Sequence, residues 1–249
     1  MEKKITIIIA SYNSEGVIGR ALNSVLNQNF SSWECIVVDG GSKDRTIEIV
    51  SRYSANDSRF SFTSEPDNGI YNALNKGLKK AKGEWIYVLG SDDELLPNGL
   101  LSLLNGDDGE SDCIYGDVFL RDNLGKISLF KSKPCNKLRT AMCCSHQGII
   151  IKRAVMIDLN GFDEQFKISA DYELLIRAYL RGYNFKQLKG TTVCYFSSDS
   201  GVSSKLDLYS AKEQYRIYSK NRTVTFPIVP VIFNFAKRLM RQYIYDPKK

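Results

Sequence analysis

A chain of 249 residues with 43% hydrophobic and 25% charged residues has the composition of a soluble globular protein. It is long enough to bury a sizeable core as one large domain, or one domain with an extension. No apolar run approaches bilayer length, and the segment after Met1-Glu2-Lys3-Lys4 turns polar too early for a signal peptide, so a cytoplasmic protein is expected. Six cysteines without C-x-x-C spacing and a single histidine, His146, argue against a zinc site or a disulfide framework. The formal charge of +6 is uneven: from Lys205 onward ten basic residues stand against three acids, so that tail carries +7 and the remainder −1. Basic charge confined to one tail, without a recognisable binding motif, speaks against a nucleic-acid partner and for an anionic surface.

Ile5 to Ala10 reads as a buried strand, followed by the polar loop Ser11-Tyr12-Asn13-Ser14 and a helix with Val17, Ile18, Ala21, Leu22, Val25 and Leu26 at helical spacing. Cys35 to Val38 is a second strand, closed by Asp39-Gly40-Gly41-Ser42, with Ser42 placed to cap the helix that carries Ile47 and Val50. A third strand, Phe60 to Thr63, leads through the turn Asp67-Asn68-Gly69 into a basic helix over 70–82. The fourth strand, Trp85 to Leu89, stops abruptly at Gly90-Ser91-Asp92-Asp93-Glu94, ahead of a helix near Pro97. Alternating strands and helices predict a parallel sheet with right-handed crossovers. In such a sheet Ser11 to Glu15, Asp39 and the pair Asp92–Asp93 share one edge, the edge where open α/β sheets bind ligands.

After about residue 105 the pattern changes. Cys113–Arg121 and Lys126–Phe130 predict a hairpin around Asp122-Asn123-Leu124-Gly125, and Gln147 to Ile151 a further strand. Asp171 opens a helix carrying Leu174, Leu175 and Ala178. Short strands are expected near 185–188 and 193–196, then a helical tail over 204–249.

Several stretches carry a resemblance: Ile8 to Asn13; Val37-Val38-Asp39-Gly40-Gly41-Ser42-Lys43-Asp44-Arg45-Thr46; Asp67 to Gly77; Gly83-Glu84-Trp85-Ile86 leading to Ser91-Asp92-Asp93; Gly161-Phe162-Asp163-Glu164; and Ala170 to Leu174. In this order and spacing the chain resembles the family 2 inverting glycosyltransferases of GT-A fold. Asp67 to Gly77 and His146-Gln147 look most like bacterial members that build colanic acid, O-antigen and capsule polysaccharides. The chain departs from the family pattern at Ala170-Asp171, where one acid of the usual pair is missing, and at Ser91-Asp92-Asp93, a variant of D-x-D.

The resemblance implies an α/β GT-A (Rossmann-like) fold, a mostly parallel sheet flanked by helices. A nucleotide-sugar half over about 1–105 and an acceptor half over about 106–203 would precede the basic helical extension. It implies transfer from a nucleotide-sugar, most simply a UDP-sugar, to a saccharide or polyprenyl-diphosphate-linked saccharide, assisted by Mn²⁺ or Mg²⁺. Asp93 is the expected metal ligand, since hard cations take carboxylate and phosphate oxygens; Asp92 would meet the ribose, and Asp39 the uracil. Ala10, Ser11, Tyr12 and Glu15 would wrap the base and ribose. Asp67 is either a nucleotide contact or a plain turn-former, and Lys76 either a phosphate contact or a solvated lysine. Asp171 fits the general base, kept ionised at a helix N-terminus. His146 would touch diphosphate, metal or acceptor, or serve as a structural hydrogen-bonder.

Pro227 to Tyr245 mixes aliphatic and aromatic residues with Lys237, Arg238 and Arg241, which suits either a helix on an anionic membrane or one packed on the catalytic domain. Two other activities compete. A nucleotidyltransferase would need a Gly-rich basic phosphate loop after the first strand, and Ser11-Tyr12-Asn13-Ser14 is not one. A catalytically silent nucleotide-sugar-binding subunit is opposed by the intact Asp92, Asp93 and Asp171.

Overall fold

The computed structural model describes residues 4–122, 124–197 and 208–245, with side chains through residue 237 in the last segment. Asn123 of the expected hairpin turn, Lys205, Asp207, Asp246, Lys248 and Lys249, and the side chains of Arg238 and Arg241, lie outside the described residues.

Strands and helices alternate as β1 (Ile5–Ser11), α1 (Ile18–Leu26), β2 (Trp33–Asp39), α2 (Thr46–Asn56), β3 (Phe60–Ser64), α3 (Ile70–Lys80) and β4 (Trp85–Gly90). There follow β5 (Glu94–Leu95), α4 (Gly99–Asn105), β6 (Cys113–Arg121), β7 (Ile127–Phe130), β8 (Ile149–Lys152), α5 (Arg153–Asp158), α6 (Ala170–Leu180), β9 (Phe185–Ser197), α7 (Leu208–Asn221) and α8 (Ile228–Tyr245). One mixed sheet runs in the order β3-β2-β1-β4-β8-β6-β9-β5, with β7 hydrogen-bonded to β6. The first four strands are parallel and β8 is antiparallel to β4, so strands from both sides of residue 105 share one sheet.

The apolar runs of β1 and β2 follow from burial on both faces. Successive side chains alternate: Ile5, Ile7 and Ile9 pack with Ile18, Leu22 and Val25 of α1, whereas Ile8 meets Tyr71, Leu74 and Leu78 of α3 on the other face. Gly77 of α3 is needed at this contact, because a Cβ there would drive into Ile8.

Four details differ from the sequence reading. Ser42 does not cap α2; Asp44 Oδ1 accepts the Thr46 N–H at 3.0 Å, while Ser42 turns back to Asp39. The two short strands near residues 185 and 193 are one strand, β9, irregular in register beside Asp117. The short β5, paired with β9, and the helix α5 carried too little periodicity to be seen in isolation. The tail, by contrast, takes one of its two expected courses, packing on the domain through α7 and the inner side of α8, where Tyr218 and Val231 are buried.

Charge as well as apolar area holds α7 in place. Glu213 is 1% exposed, and its carboxylate accepts the N–H groups of Lys167, Ile168 and Ser169 at 2.5, 3.0 and 3.0 Å. These are residues immediately before α6, so a side chain from α7 satisfies backbone donors at an otherwise uncapped helix start. Lys220, also on α7, reaches the buried Glu173 of α6 at 2.9 Å. Replacing Glu213 by alanine is expected to leave three part-buried N–H groups without their acceptor and lower stability by roughly 1–3 kcal/mol, measured as a lower urea midpoint at unchanged slope.

Candidate active site

The parallel register brings three strand ends to one level: Ser11 pairs with Asp39, Asp39 with Ser64, and Ala10 with Gly90. Ala10 therefore lies at the centre of this edge, between β2 and β4. Asp39 is fully buried, and its carboxylate accepts Gly41 N–H at 2.9 Å, Ser42 N–H at 2.8 Å, Ser64 Oγ at 2.7 Å and Ser11 Oγ at 3.2 Å, with Ser42 Oγ closer still. Burial pushes this carboxyl up, but the Ser42, Ser64 and Gly41 bonds outweigh it and hold it below the usual carboxylate range. The positive φ of 84° at Gly41 lets the loop fold back on Asp39.

The first two loops are laced together. Asn13, itself at φ 47°, donates its N–H to Ser42 Oγ at 2.8 Å and accepts Lys43 N–H at 2.9 Å. Glu15 accepts Arg45 N–H at 2.9 Å, which commits that carboxylate to the second loop. Ser14 Oγ and Ser91 Oγ, 3.2 Å apart, link the first loop to the end of β4. Tyr12 stays 62% exposed, with its ring over Gly40. Asp67 reaches the same glycine from the β3–α3 loop, where its Oδ1 accepts Gly69 N–H at 2.8 Å. A side chain at Gly40 would collide with Asp67, so the glycine keeps Tyr12, Asp39 and Asp67 around one open patch of backbone. Lys76 is turned to its own side of this loop: it pairs with Glu65 at 2.7 Å and donates to Pro66 O at 3.2 Å.

At the end of β4, the Asp92 and Asp93 carboxylates both crowd Gly90, and any Cβ there would overlap Asp93. Asp93 is 1% exposed; its oxygens accept Gly90 N–H at 3.2 Å and Ser197 N–H at 2.9 Å, and the Gln147 side chain hydrogen-bonds it as well. Burial pushes its carboxyl up to about 7, and neighbouring Asp92 adds to the rise. Asp92 is half-buried at the rim. Two adjacent carboxylates, one raised by desolvation, form an oxygen donor set of the kind Mg²⁺ or Mn²⁺ takes together with substrate phosphates. Among the described residues no cluster of three or more acidic, histidine or cysteine ligands occurs.

The turn His146–Gly148 ahead of β8 joins this edge to α6. Gln147 reaches Asp93, while Nδ1 of His146 stands 3.7 Å from Asp171 Oδ2. Burial lowers the basicity of His146, against the pull of Asp171. Asp171, in the first turn of α6, also lies 3.3 Å from the Tyr71 hydroxyl, which donates to Ile168 O at 2.7 Å. Its side chain is 24% exposed, so a ligand can reach it. Glu173 is buried and paired with Arg177 and Lys220, away from the site.

The edge thus gathers Ala10, Ser11, Tyr12, Glu15, Asp39, Asp67, Asp92 and Asp93, and the 146–148 turn adds His146 and Asp171. Four participants escaped the sequence reading. Ser64 and Tyr71 bind Asp39 and Asp171 from neighbouring elements, Gln147 binds Asp93, and Glu213 sets the α6 start. Gln147 had a signal, its place beside His146; the Glu213 contact spans 44 positions and has none.

A mixed α/β sheet with an acidic strand end and a Gly-Gly loop at one edge is the setting of this site, and the family model "Glycosyl transferase family 2" matches residues 6–157. The chain belongs to that family and has its GT-A fold. It is 28% identical over 214 residues to a PGL/p-HBAD biosynthesis glycosyltransferase of Mycobacterium tuberculosis, covering 81% of this chain and 79% of the relative. A crystal structure of S. aureus TarS 1–349 in complex with UDP-GlcNAc superimposes with a TM-score of 0.72 at 22% identity, over 88% of this chain and 65% of that one. A mannosyltransferase from Pyrobaculum calidifontis, in complex with GDP-Man and Mn²⁺, gives 0.69 at 18% identity, over 94% of this chain and 69% of that one.

The depressed Asp39 carboxyl has a pH consequence. A folded value below the unfolded value of about 3.9 stabilises the fold fully above that pH, and the contribution is lost as pH falls through the folded value. Asp39→Asn is therefore expected to flatten the acid limb of the stability curve, measured by urea unfolding from about pH 6 to pH 3.

Proposed function

We propose that this family 2 glycosyltransferase moves a sugar, with inversion, from a UDP-sugar to a hydroxyl of a saccharide or lipid-linked saccharide in bacterial surface polysaccharide synthesis. The observation that carries the reading is the single turn at 146–148, with Gln147 bound to Asp93 on one side and His146 beside Asp171 on the other. A donor-side carboxylate and an acceptor-side carboxylate are thereby held by one short piece of backbone.

In this reading Tyr12, Asp39 and Asp67 enclose the base around Gly40, with Ser11 and Glu15 fixing the loop and Asp92 at the ribose. Asp39, already engaged by its own loop, acts by shaping the base slot as well as through any oxygen lone pair it presents to the imide N–H. Asp93 with Asp92 would hold Mn²⁺ or Mg²⁺, which supplies Lewis-acid neutralisation of the leaving diphosphate when bound. Asp171 removes the proton from the acceptor hydroxyl. The freed oxygen attacks the anomeric carbon on the face opposite the diphosphate, the C1–O bond breaks, and its electron pair leaves with UDP. The products are an inverted glycoside, UDP and a proton on Asp171. Tyr71 and His146 flank the Asp171 carboxylate and orient it toward the acceptor hydroxyl.

One experiment separates donor binding from proton transfer. Asp93→Ala is expected to lose Mn²⁺-dependent UDP affinity in calorimetry while remaining folded. Asp171→Asn should keep that affinity and lose turnover by about 10²–10⁴-fold, the usual size of a general-base contribution. Near-normal turnover in Asp171→Asn would reduce Asp171 to a helix cap. A wild-type protein that binds UDP-sugar and never releases UDP would be a silent binding subunit.

Membrane contact is proposed for the outer side of α8. No helix among the described residues is long and apolar enough to cross a bilayer. Phe226, Ile228, Val229, Ile232 and Phe233 are each half or more exposed, in a tail whose Lys212 and Arg222 are also exposed. Vesicles containing phosphatidylserine are expected to float the wild type, less so with added salt, and to float Ile232→Asp/Phe233→Asp poorly. Equal flotation of the two proteins would remove this contact.

A further inference from the structure

Asp171 opens onto a groove that the established family membership does not assign. It has a volume of about 350 Å³ and lies between the start of α6, the end of β7 and the tail helices. Its walls include Phe130 and Lys133 on one side, Ser169 beside Asp171, Gln214 of α7, and Asn234 and Lys237 of α8. A wider groove of about 760 Å³ between α3, α5 and α6 includes neither Asp93 nor Asp171 among its lining residues, so size alone does not select the reacting site.

Three features of the smaller groove point to one class of ligand. Its volume is at the low end of small-molecule sites, about 300–1,000 Å³, which suits one or two sugar rings rather than a protein segment. Its polar lining is made of hydroxyls and amides, Ser169, Gln214 and Asn234, groups that exchange hydrogen bonds with sugar hydroxyls, while Phe130 offers a flat apolar face. Among the described residues its charged lining is Lys133, Lys237 and the carboxylate of Asp171, and the exposed ammonium of Lys237 on α8 favours an anionic group on the ligand. An anion on the ligand is best placed away from Asp171, whose carboxylate would repel it.

The tail is built to keep this groove in shape. Asn234 donates to Thr140 O at 2.9 Å and to the Tyr218 hydroxyl at 3.2 Å, and Tyr218 donates to Thr140 O at 2.7 Å. With the Glu213 bonds to residues 167–169, the outer wall and the base-bearing turn form one hydrogen-bonded unit.

We propose that this groove is the acceptor site, that α7 and α8 are its outer wall, and that it selects an acidic saccharide, one bearing a carboxylate or a phosphate, through Lys237. The inference rests on the assignment of Asp171 as base. Acceptor-stimulated UDP release tests it, using the UDP-sugar that the wild type hydrolyses fastest in a donor screen. The probes are p-nitrophenyl β-glucuronide, glucose 1-phosphate and neutral p-nitrophenyl β-glucoside. The two acidic probes distinguish a carboxylate from a phosphate as the recognised group.

In the wild type at least one acidic probe is expected to stimulate release with a lower KM than the neutral glucoside. Lys237→Glu should raise the KM for that probe by roughly tenfold, about 1.4 kcal/mol, and leave the KM for the glucoside in place. Gln214→Trp, which fills the groove, should raise both. Thermal unfolding of each variant checks that it is folded, and calorimetric UDP affinity checks the donor side. Stimulation by none of the probes, equal KM for acidic and neutral probes in the wild type, or unchanged KM values in both variants would overturn the proposal. Failure of the wild type to hydrolyse any UDP-sugar would instead strike the parent reading, before acceptors are considered.

Discussion

The register of the parallel strands is the constraint on which the site depends. Ser11, Asp39 and Ser64 are direct partners across β1, β2 and β3, and Ala10 is opposite Gly90 in β4. A parallel sheet buried on both faces leaves its chain ends as the only places where polar groups can gather. A slip of one residue in β2 would exchange its faces and move Asp39 away from Ser11 and Ser64. Its carboxylate would then sit in the core without its hydroxyl and N–H donors, a costly state for a buried charge. Packing on both faces of the sheet and satisfaction of Asp39 therefore require the same register.

The two candidate chemical carboxylates are supported differently. Asp93 belongs to a strand end and takes its surroundings from the sheet: Gly90 behind it, and Ser197 of β9 across from it. Asp171 belongs to a helix start and takes its surroundings from the chain around it: Tyr71 of α3, His146 of the turn before β8, and Glu213 of α7 through the preceding loop. The sheet edge is stiff because many ladder bonds converge there. The α6 start is stiff because one buried carboxylate gathers three backbone donors, and charge-assisted bonds of this kind are stronger than neutral ones.

The first half of the fold was legible because local and global signals agree there. Ile5 to Ile9 and Cys35 to Val38 are continuous apolar runs, the helices between them show clean 3.6-residue spacing, and polar loops mark the strand ends. The later half was read less completely for physical reasons. The two residues of β5 carry no period, and α5 is a single short turn and a half between a strand and a loop. The irregular pairing of β9 beside Asp117 made one strand read as two. Ser42 reads as a cap from sequence because serine suits that position, but Asp39 competes for its hydroxyl and wins. At the site, acidic strand ends together with the family resemblance pointed to Asp39, Asp93 and Asp171, while their partners Ser64, Gln147 and Glu213 are ordinary polar residues that only tertiary contact brings to them.

The bond set of Glu213 also orders events in time. Ser169 and Glu213 are 44 positions apart, so the acceptor of the α6 loop is synthesised well after the loop itself. Domains fold from the N-terminal side as the chain emerges from the ribosome. The strand ends that gather Asp39 with Ser11 and Ser64 all lie before residue 105 and can assemble early. The backbone ahead of Asp171 keeps three unanswered N–H groups until α7 arrives. A growing chain therefore holds the Asp39 end of its sheet for an interval in which Asp171 lacks the support of Glu213, and the tail closes that interval.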